Sequence, residues 1–383
     1  MKKFAYVLAA ALVLGTVLSG CAKEEEKPAY QVEEIIPGVN DTDTVKGPKE
    51  EPTPEPTPEE ESHEGMVRSE LTNEWIDESI KDQRPVAVMI DNEKAALPHF
   101  GVNDADIVYE IMNSTANNRI TRLMVIYKDW KNIKQLGSVR STRPTNFMLA
   151  AEWNAILIHD GGPFYNDAYY GKDYVNNLNG GFARFSNGKN LEYTEYVTYD
   201  DYTNEKKGKT YDGLGKRMED SKYSPNYTDL YPGQHFAFAE EELDLSGVSG
   251  AEEAKNISLP FYHNESQLKY NEETKTYDYY EYGEPHKDAE SGEVTTFKNV
   301  ILQSVSHTRL DDNGYLIYNV IGSGTDGYYL TDGYAIPIVW SKGGEAALTV
   351  FTSTATGKDI ELNTGKTYIA LVPEDSWEKV TLN

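Results

Sequence analysis

The 383-residue chain contains one cysteine, Cys21, and this limits its fold more than any other feature. A single thiol cannot form a disulfide bond within its own chain. The folded part must therefore be held together by the packing of apolar side chains, without covalent cross-links. Hydrophobic residues make up 39% of the sequence, which is enough for sizeable cores. The length suggests about two domains.

The segment around Cys21 has the pattern of an export signal. Two lysines at positions 2 and 3 are followed by an apolar run to Leu18, and a Ser-Gly pair then precedes the cysteine. This order resembles the signal peptide of bacterial lipoproteins. The resemblance implies that residues 1–20 are removed and that Cys21 is lipidated, with palmitate as the expected acyl group. The lipid would hold the protein at the extracytoplasmic face of the cell membrane.

A polar and acidic stretch follows, and we assign residues 21–75 to a disordered tether. Its most distinctive part is EEPTPEPTPEEESHE, and residues 22–64 carry 14 acidic residues against four lysines. A segment of this composition cannot bury apolar surface and stays extended. The formal net charge of the whole chain is -27, which argues against nucleic acid as a partner because phosphates need a basic surface.

Residues 76–245 are predicted to form an α+β or α/β domain. The runs RPVAVMIDN and TRLMVIYKDW have the alternation and β-branched content of buried strands, and Asp91 ends the first of them. A third strand is expected over Ala155–Ile158. Between them, a helix is predicted over Thr145–Glu152 with Pro144 in its first turn, where the missing N–H of proline costs nothing.

In the stretch GSVRSTRP two arginines flank a pair of hydroxyl residues, Ser141 and Thr142, just before this helix. Arg140, Ser141 and Arg143 would lie at the helix N-terminus, where free N–H groups and the helix dipole favour an anion. Guanidinium groups suit carboxylates and phosphates. Arg119 and Arg122, just before and within the second strand, could extend this positive patch.

The alternative is that these arginines pair with internal carboxylates such as Glu110 or Asp160, and both interpretations stand at this point.

The loop HDGG ends the third strand and is a further candidate for the site. His159 could act as a general base or donate to an anion, Asp160 lies beside it, and Gly161 permits close backbone approach to a ligand. The sequence offers no His or Asp cluster with metal-ligand spacing, no cysteine nucleophile and no Gly-x-Ser-x-Gly motif. We therefore assign no catalytic residue, and we predict neither a metal nor a cofactor.

Residues 250–383 are predicted to form a mainly β domain, either a small antiparallel barrel or a sandwich. Short alternating runs are separated there by Gly, Asn and Asp turns. Four of its residues are candidates either for a surface groove or for ordinary strand packing: Tyr328, Tyr329, Trp340 and Lys342. His286 and Asp288 could belong to a site or could simply be polar groups of a turn.

Five motifs occur in a fixed order, namely RPVAVMIDN, ADIVYE, ITRLMVIY, GSVRSTRP and HDGGP. Together they resemble the YerB-like bacterial lipoproteins, a family named for a domain of unknown function. The resemblance covers about residues 84–380. It implies a membrane-anchored lipoprotein with two globular parts, mostly of Gram-positive bacteria, and it supplies no activity, substrate or catalytic residue.

These observations lead to three functional hypotheses. The first is a non-catalytic lipoprotein that binds an anionic cell-envelope ligand, such as a cell-wall polymer, or an envelope protein partner. The second is a wall-acting hydrolase or transferase that uses His159 and Asp91, with the arginines stabilising negative charge. The third is an assembly scaffold in which the arginines only form salt bridges. The candidate site residues are Asp91, Arg119, Arg122, Arg140, Ser141, Arg143, His159, Asp160 and Gly161.

Overall fold

The structure is a computed structural model that describes residues 62–324 and 326–383. The predicted signal peptide, the predicted lipidation site Cys21 and most of the predicted tether lie outside these residues. Within the described ranges, no helix combines the length and the apolar character needed to cross a bilayer.

The described chain is mainly β. Its two α-helices are α1 (Pro144–Glu152) and α2 (Leu214–Ser221). The strands of the first half are β1 (Met66–Arg68), β2 (Trp75–Asp77), β3 (Val86–Asp91), β4 (Ile107–Met112), β5 (Thr121–Tyr127), β6 (Leu136–Gly137), β7 (Ile156–His159), β8 (Asn177–Asn179), β9 (Ala183–Arg184), β10 (Glu195–Val197), β11 (Tyr202–Asn204), β12 (Lys209–Tyr211) and β13 (Ala237–Phe238). Those of the second half are β14 (Glu252–Glu253), β15 (Asn256–Ser258), β16 (Gln267–Asn271), β17 (Thr276–Glu281), β18 (Glu284–Pro285), β19 (Thr296–Phe297), β20 (Asn299–Val305), β21 (His307–Arg309), β22 (Leu316–Tyr318), β23 (Gly322–Gly324), β24 (Gly327–Thr331), β25 (Tyr334–Lys342), β26 (Thr349–Ser353), β27 (Glu361–Leu362), β28 (Thr367–Pro373) and β29 (Thr381–Leu382).

A mixed sheet of 12 strands forms the centre of the molecule. Ten of them follow the order β14-β25-β24-β20-β28-β4-β5-β3-β7-β8, and β23 and β26 pair with β25. The strand β3, third from one end of this order, is buried along its whole length. Both of its faces are therefore covered, which explains why its sequence is almost continuously apolar.

The strand β28 joins the two halves of the chain within this sheet. It lies parallel to β20 on one side and parallel to β4 on the other. Strands from both predicted domains, 76–245 and 250–383, thus share one sheet. The described residues belong to a single structural unit.

The two faces of the large sheet pack against different layers. Val86, Val88 and Ile90 of β3 belong to a core that also contains Leu268 and Tyr277 of a second sheet, which has six strands. That sheet is formed by β15–β19 and β29. The alternate residues of β3, Ala87 and Met89, belong to a core that contains α1. The helix is thereby fixed on the opposite face from the second sheet.

Two parts of the predicted fold class need correction. Residues 76–245 do not form alternating strands and helices, because β4 and β5 are antiparallel neighbours joined by a connection too short for a crossover helix. A closed barrel does not form among the described strands of residues 250–383, since β28 continues the sheet into β4 instead. The mainly β character of that half is confirmed, and α1 begins at Pro144, one residue before the predicted Thr145, and ends at Glu152 as predicted.

Candidate functional site

Arg143 lies immediately before α1, and the start of the helix fixes its position. Its backbone N–H donates to Oδ1 of Asn146 at 2.9 Å. The guanidinium is buried, with Nε donating to the carbonyl of Asn113 at 3.1 Å and Nη1 to that of Thr142 at 2.9 Å. Its central carbon lies 4.8 Å from the centre of the Tyr315 ring. Within the described chain, Arg143 thus contacts carbonyls and an aromatic face and forms no salt bridge.

Arg122 comes from β5, where the register places it beside Asp91 of β3 and Ile111 of β4. Its side chain is buried, with only 7% of the residue surface exposed. Its Nε and Nη1 are fully buried and hydrogen-bond to no atom of residues 62–324 or 326–383. Burial lowers the pKa of Arg122, and the carboxylate of Asp91 opposes this effect. An unsatisfied buried donor costs about 1–3 kcal/mol, and a charged one costs more.

Arg140 is held by carboxylates from two directions. Its Nε lies 2.7 Å from Oδ2 of Asp91 and its Nη2 lies 2.5 Å from Oε2 of Glu192. The contact with Asp91 is an ion pair that lacks hydrogen-bond geometry. The backbone N–H of Arg140 donates to the carbonyl of Met89, which keeps the residue beside β3. The carboxylate of Asp91 therefore forms its ion pair with Arg140 and not with Arg122.

We call Arg122, Arg140 and Arg143, together with Asn113 and Tyr315, the arginine pocket. Arg122 and Arg143 both border a cavity of about 10 Å³. This is roughly the space that one water molecule or one ligand oxygen occupies. The pocket can therefore admit a terminal oxygen of an anion, while the rest of a ligand must remain outside.

Three guanidinium groups lie close together in the arginine pocket. Asp91 and Glu192 pair directly with Arg140. The charges of Glu93 and Asp311 act on Arg122 and Arg143 without forming a salt bridge to either. Burial, together with the neighbouring charges of Arg122 and Arg140, lowers the pKa of Arg143 to about 9. The group still carries its charge at neutral pH. An anion bound between Arg122 and Arg143 would relieve this repulsion, and the positive end of the α1 dipole would favour it further.

Aromatic rings extend from the arginine pocket to the surface. The ring of Tyr165 lies 6.5 Å from that of Tyr315 and 4.0 Å from that of Phe164. Phe164 is 69% exposed. The hydroxyl of Tyr165 donates to the carbonyl of Leu310 at 3.2 Å, which ties the loop after β7 to the turn between β21 and β22. These rings offer an apolar contact area beside a cationic group.

His159 is buried at the end of β7 and both of its ring nitrogens have partners. Nδ1 lies 2.9 Å from the carbonyl of Gly161, and Nε2 lies 3.1 Å from the amide nitrogen of Asn177. Nδ1 is therefore the protonated nitrogen and Nε2 the acceptor. Burial lowers the pKa of His159 to about 4. The ring is a neutral group that holds the loop, and it has no free nitrogen for a substrate.

The backbones of Asp160 and Gly161 hydrogen-bond to those of Arg140 and Thr142, but the side chain of Asp160 takes part in a different cluster. Asp160 pairs with Arg184 at 2.8 Å, and Arg184 also binds the buried Glu195. Burial and the proximity of Asp160 raise the pKa of Glu195 to about 7. The backbone N–H of Gly161 donates to Asn179. No motif in the sequence points to Arg184 or Glu195, which are single charged residues in short strands.

Two candidates of the first domain remain, Arg119 and Ser141, and neither belongs to the arginine pocket. Arg119 forms two hydrogen bonds to the carboxylate of Asp375, at 2.6 and 2.7 Å, and a third to Ser376. It therefore belongs to a salt bridge with the C-terminal segment. Ser141 is half-buried between Arg140 and the helix start.

Glu110, offered above as a partner for the arginines, instead accepts hydrogen bonds from hydroxyl groups. Its donors are Thr121, Ser266, Tyr279 and Tyr368.

Three of the groove candidates in the second half are buried. Tyr329, Trp340 and Lys342 are each less than 5% exposed, so the strand-packing alternative applies to them. Lys342 pairs with Glu152 at the end of α1. Tyr328 is half-buried and stacks on Trp377. Lys342 is therefore not available as a groove cation.

One group of metal-type side chains converges in the described residues, namely His99, Glu281 and His286. His99 lies near the arginine pocket, since its Nε2 is 2.7 Å from the backbone carbonyl of Asp91. Of these three residues, only His286 is a candidate from the sequence. The group could not be recognised there because His99 lies 187 positions before His286.

Comparison with known proteins adds two domain matches. Residues 71–215 match the N-terminal domain, and residues 257–369 the C-terminal domain, of a family described as "Protein of unknown function (DUF3048)". The two matches together span more than half of the chain.

A curated relative and a solved structure give the same result. The chain is 25% identical over 316 residues to YerB of Bacillus subtilis (strain 168), which is named as a lipoprotein. The alignment covers 80% of this chain and 87% of YerB. The crystal structure of the Bacillus subtilis YerB protein superposes with a TM-score of 0.68 and 21% identity, covering 83% of this chain and 99% of that structure. This likeness shows a common fold.

Proposed function

The chain belongs to the DUF3048 family, and we propose that it is a lipid-anchored lipoprotein that binds an anionic ligand of the cell envelope in the arginine pocket. Two observations support the anchor. The segment before Cys21 resembles a lipoprotein signal, and the related YerB is named as a lipoprotein. The acidic tether would then hold the folded part away from the extracytoplasmic face of the cell membrane.

The state of Arg122 is the observation that carries the binding proposal. A structural arginine in a protein interior is normally paired and hydrogen-bonded, because an isolated charge is costly to bury. Arg122 keeps two buried nitrogens that no described residue satisfies, and its nearest carboxylate, Asp91, is paired with Arg140. An oxygen of a bound anion would complete these hydrogen bonds.

The ligand that fits this geometry is a carboxylate or a phosphate at the end of a larger molecule. The cavity beside Arg122 and Arg143 has room for about one oxygen atom. The aromatic rings outside it, of which Phe164 is the most exposed, would contact the body of the ligand. Cell-wall polymers carry both carboxylates and phosphates on sugar or polyol chains, and we propose them as the ligand class.

The geometry supports binding more than catalysis. The enzymatic hypothesis needs His159 and Asp91 as acid and base. Both nitrogens of His159 are already used in the loop, and Asp91 is a buried partner of Arg140. A general base must reach the proton of its substrate.

The test measures ligand-induced stabilisation of the full chain, purified in detergent. Thermal denaturation is recorded with muropeptides, with a polyglycerol phosphate and with sulfate, for wild type and Arg122→Met. Arg119→Gln is the matched control because it removes an arginine outside the pocket. At 100 times its Kd a ligand stabilises a protein by about 2.7 kcal/mol. We expect this gain in wild type and in the control and its loss in Arg122→Met.

The three probes also distinguish the ligand chemistry. Stabilisation by muropeptides alone would identify a carboxylate ligand, and stabilisation by the polyglycerol phosphate alone would identify a phosphate ligand. An equal effect of sulfate would reduce the pocket to a general anion site. An equal gain in Arg122→Met and wild type would contradict the proposal, and an envelope protein partner would become the leading hypothesis.

A further inference from the structure

Two histidines and a glutamate meet in the interior, next to the second sheet. Nδ1 of His99 lies 2.9 Å from Nε2 of His286, and Oε1 of Glu281 lies 3.7 Å from the same Nε2. All three residues are at most 3% exposed. Glu281 ends β17 and His286 follows β18, whereas His99 lies in the loop after β3. Their ligand atoms all lie within 4.8 Å of one another.

The hydrogen bonds on the far side of each ring determine which nitrogen faces the centre of this group. Nε2 of His99 must carry a proton, because it lies 2.7 Å from the carbonyl of Asp91, which can only accept. Nδ1 of His99 therefore presents a lone pair to the centre. The far nitrogen of His286, Nδ1, lies 2.9 Å from the hydroxyl of Thr295 and can donate to it. Both rings can thus point lone pairs at one ion while their other N–H is held, as in metal-ligating histidines.

The carboxyl group of Glu281 provides a second observation, independent of the geometry of the two histidines. The residue is 2% exposed, and neither carboxyl oxygen hydrogen-bonds to another atom of the described residues. The amide N–H groups of Asn92 and Asn264 donate elsewhere, to the hydroxyls of Thr121 and Tyr282. A buried carboxyl group without a donor is costly, and a cation would supply the partner that it lacks.

Glu110 shows how the same interior treats a carboxylate of purely structural role. It is fully buried, and its oxygens accept hydrogen bonds from the hydroxyls of Thr121, Ser266, Tyr279 and Tyr368. The chain therefore provides four hydroxyl donors to one buried glutamate and leaves its neighbour Glu281 aimed at two imidazoles. This contrast indicates that Glu281 has a different partner.

We propose that His99, Glu281 and His286 bind a divalent transition-metal ion of the zinc class. Two imidazole nitrogens and a carboxylate are a common donor set for Zn²⁺, with bonds of about 2.0–2.2 Å. A tetrahedral ion would place the two nitrogens about 3.3 Å apart, so the rings separate by a few tenths of an ångström on binding. A carboxylate that binds through both oxygens, or a water molecule, completes the coordination.

The ion would join the two halves of the chain. His99 belongs to the region that matches the family's N-terminal domain, and Glu281 and His286 belong to the region that matches its C-terminal domain. The hydrogen-bond contact between the two histidines spans 187 positions of sequence. A metal that closes so long a loop stabilises the fold by holding its ends together. The role is structural, because all three ligands are buried.

The experiment uses the untagged full chain in detergent, stripped of metal with a chelator and then dialysed against buffered Zn²⁺. Metal content is measured by elemental analysis and stability by thermal denaturation. Co²⁺ is added separately to the stripped protein, since a tetrahedral Co²⁺ site absorbs visible light strongly. We compare wild type with Glu281→Gln and His286→Gln. His263→Gln is the control because this histidine pairs with Glu93 at the surface, outside the group.

We expect one zinc per chain and a higher melting temperature with zinc in wild type and in His263→Gln. Both cluster variants should bind zinc at least tenfold more weakly. Glu281→Gln should fold in the absence of metal, because glutamine keeps the shape and removes the buried carboxyl group. The Co²⁺ absorption spectrum tests the site in wild type, so this result does not depend on whether a variant folds. Failure of folded wild type to take up Zn²⁺ or Co²⁺, or full binding by both cluster variants, would overturn the proposal.

Discussion

The two ends of α1 place buried charges in opposite situations. At the C-terminal end, Glu152 pairs with Lys342 at 2.9 Å and accepts hydrogen bonds from the backbone N–H and the hydroxyl of Thr349, both at 3.0 Å. At the N-terminal end, Arg122 and Arg143 are equally buried, and no salt bridge to either is found in the described residues. The same helix thus ends in a satisfied charge and in an unsatisfied one.

The helix dipole makes this difference informative. A carboxylate is unfavourable at a helix C-terminus and a guanidinium is unfavourable at an N-terminus. Each end therefore requires a group of the opposite charge. The chain provides it at one end, as Lys342, which marks Glu152 as structural. At the other end no described residue forms a salt bridge with Arg122 or Arg143, and this is the basis of the binding proposal.

The largest effect is expected from breaking the satisfied end. Lys342→Met leaves Glu152 buried without its cation, and removing one partner of a buried pair costs about 3–5 kcal/mol. The free energy of unfolding, measured in urea, should fall by this amount. Lys216→Met is the control, because Lys216 pairs with Asp212 in solvent, and its stability should not change measurably. A negligible loss in Lys342→Met would remove the contrast between the two ends.

A smaller effect, on the pH dependence of the unfolding free energy, is expected from His159, which we regard as a structural group and not as part of the arginine pocket. Because burial lowers its pKa to about 4 from the ordinary 6.5, the unfolded chain takes up a proton at this position before the folded chain does. Stability is therefore lost as the pH falls from about 6.5 towards 4. Between pH 7 and pH 5, wild type should lose about 2 kcal/mol more of its unfolding free energy than His159→Asn does.

The same urea series contains its own control. Between pH 8 and pH 7 the imidazole is mostly neutral in both folded and unfolded chains, so the difference between wild type and His159→Asn should stay constant there. Parallel curves down to pH 5 would mean that His159 takes up protons in the folded protein, and the enzymatic hypothesis would regain support.

The smallest loss of stability is expected at Arg119. Its pair with Asp375 is well directed, but the two side chains are 26% and 48% exposed, so solvent screens the interaction. Arg119→Gln should cost at most about 1 kcal/mol of unfolding free energy. It should leave ligand-induced stabilisation unchanged. A loss of ligand response in this variant would extend the site towards the C-terminal segment.

Local patterns in the sequence were sufficient to predict the elements that carry the site. Short runs of residues predict the strands β3 and β5 and the helix α1. Strands that are buried on both faces have almost continuously apolar sequences, and a proline marks the helix start. The presence of Arg140 and Arg143 at the start of α1 was predicted for the same reason. Side-chain orientation within one element is fixed by its period.

The partners of these elements could not be predicted, because they come from distant parts of the chain. The pairing of β28 with β4 depends on the whole topology, and so does the arrival of Tyr315 over Arg143. From the sequence, salt bridges and anion binding were both open for each of the arginines. The sequence could not reveal that Arg119 pairs with Asp375 while Arg122 forms no salt bridge within the described chain.

The most direct test of the unsatisfied end is the unfolding free energy of Arg122→Met, measured with and without the ligand that stabilises wild type. Replacing a buried charge that lacks a partner by an apolar side chain of similar length is often neutral or stabilising. We predict that Arg122→Met is at least as stable as wild type without ligand and gains nothing when the ligand is added. A loss of more than about 2 kcal/mol without ligand, or an undiminished gain with it, would contradict the account.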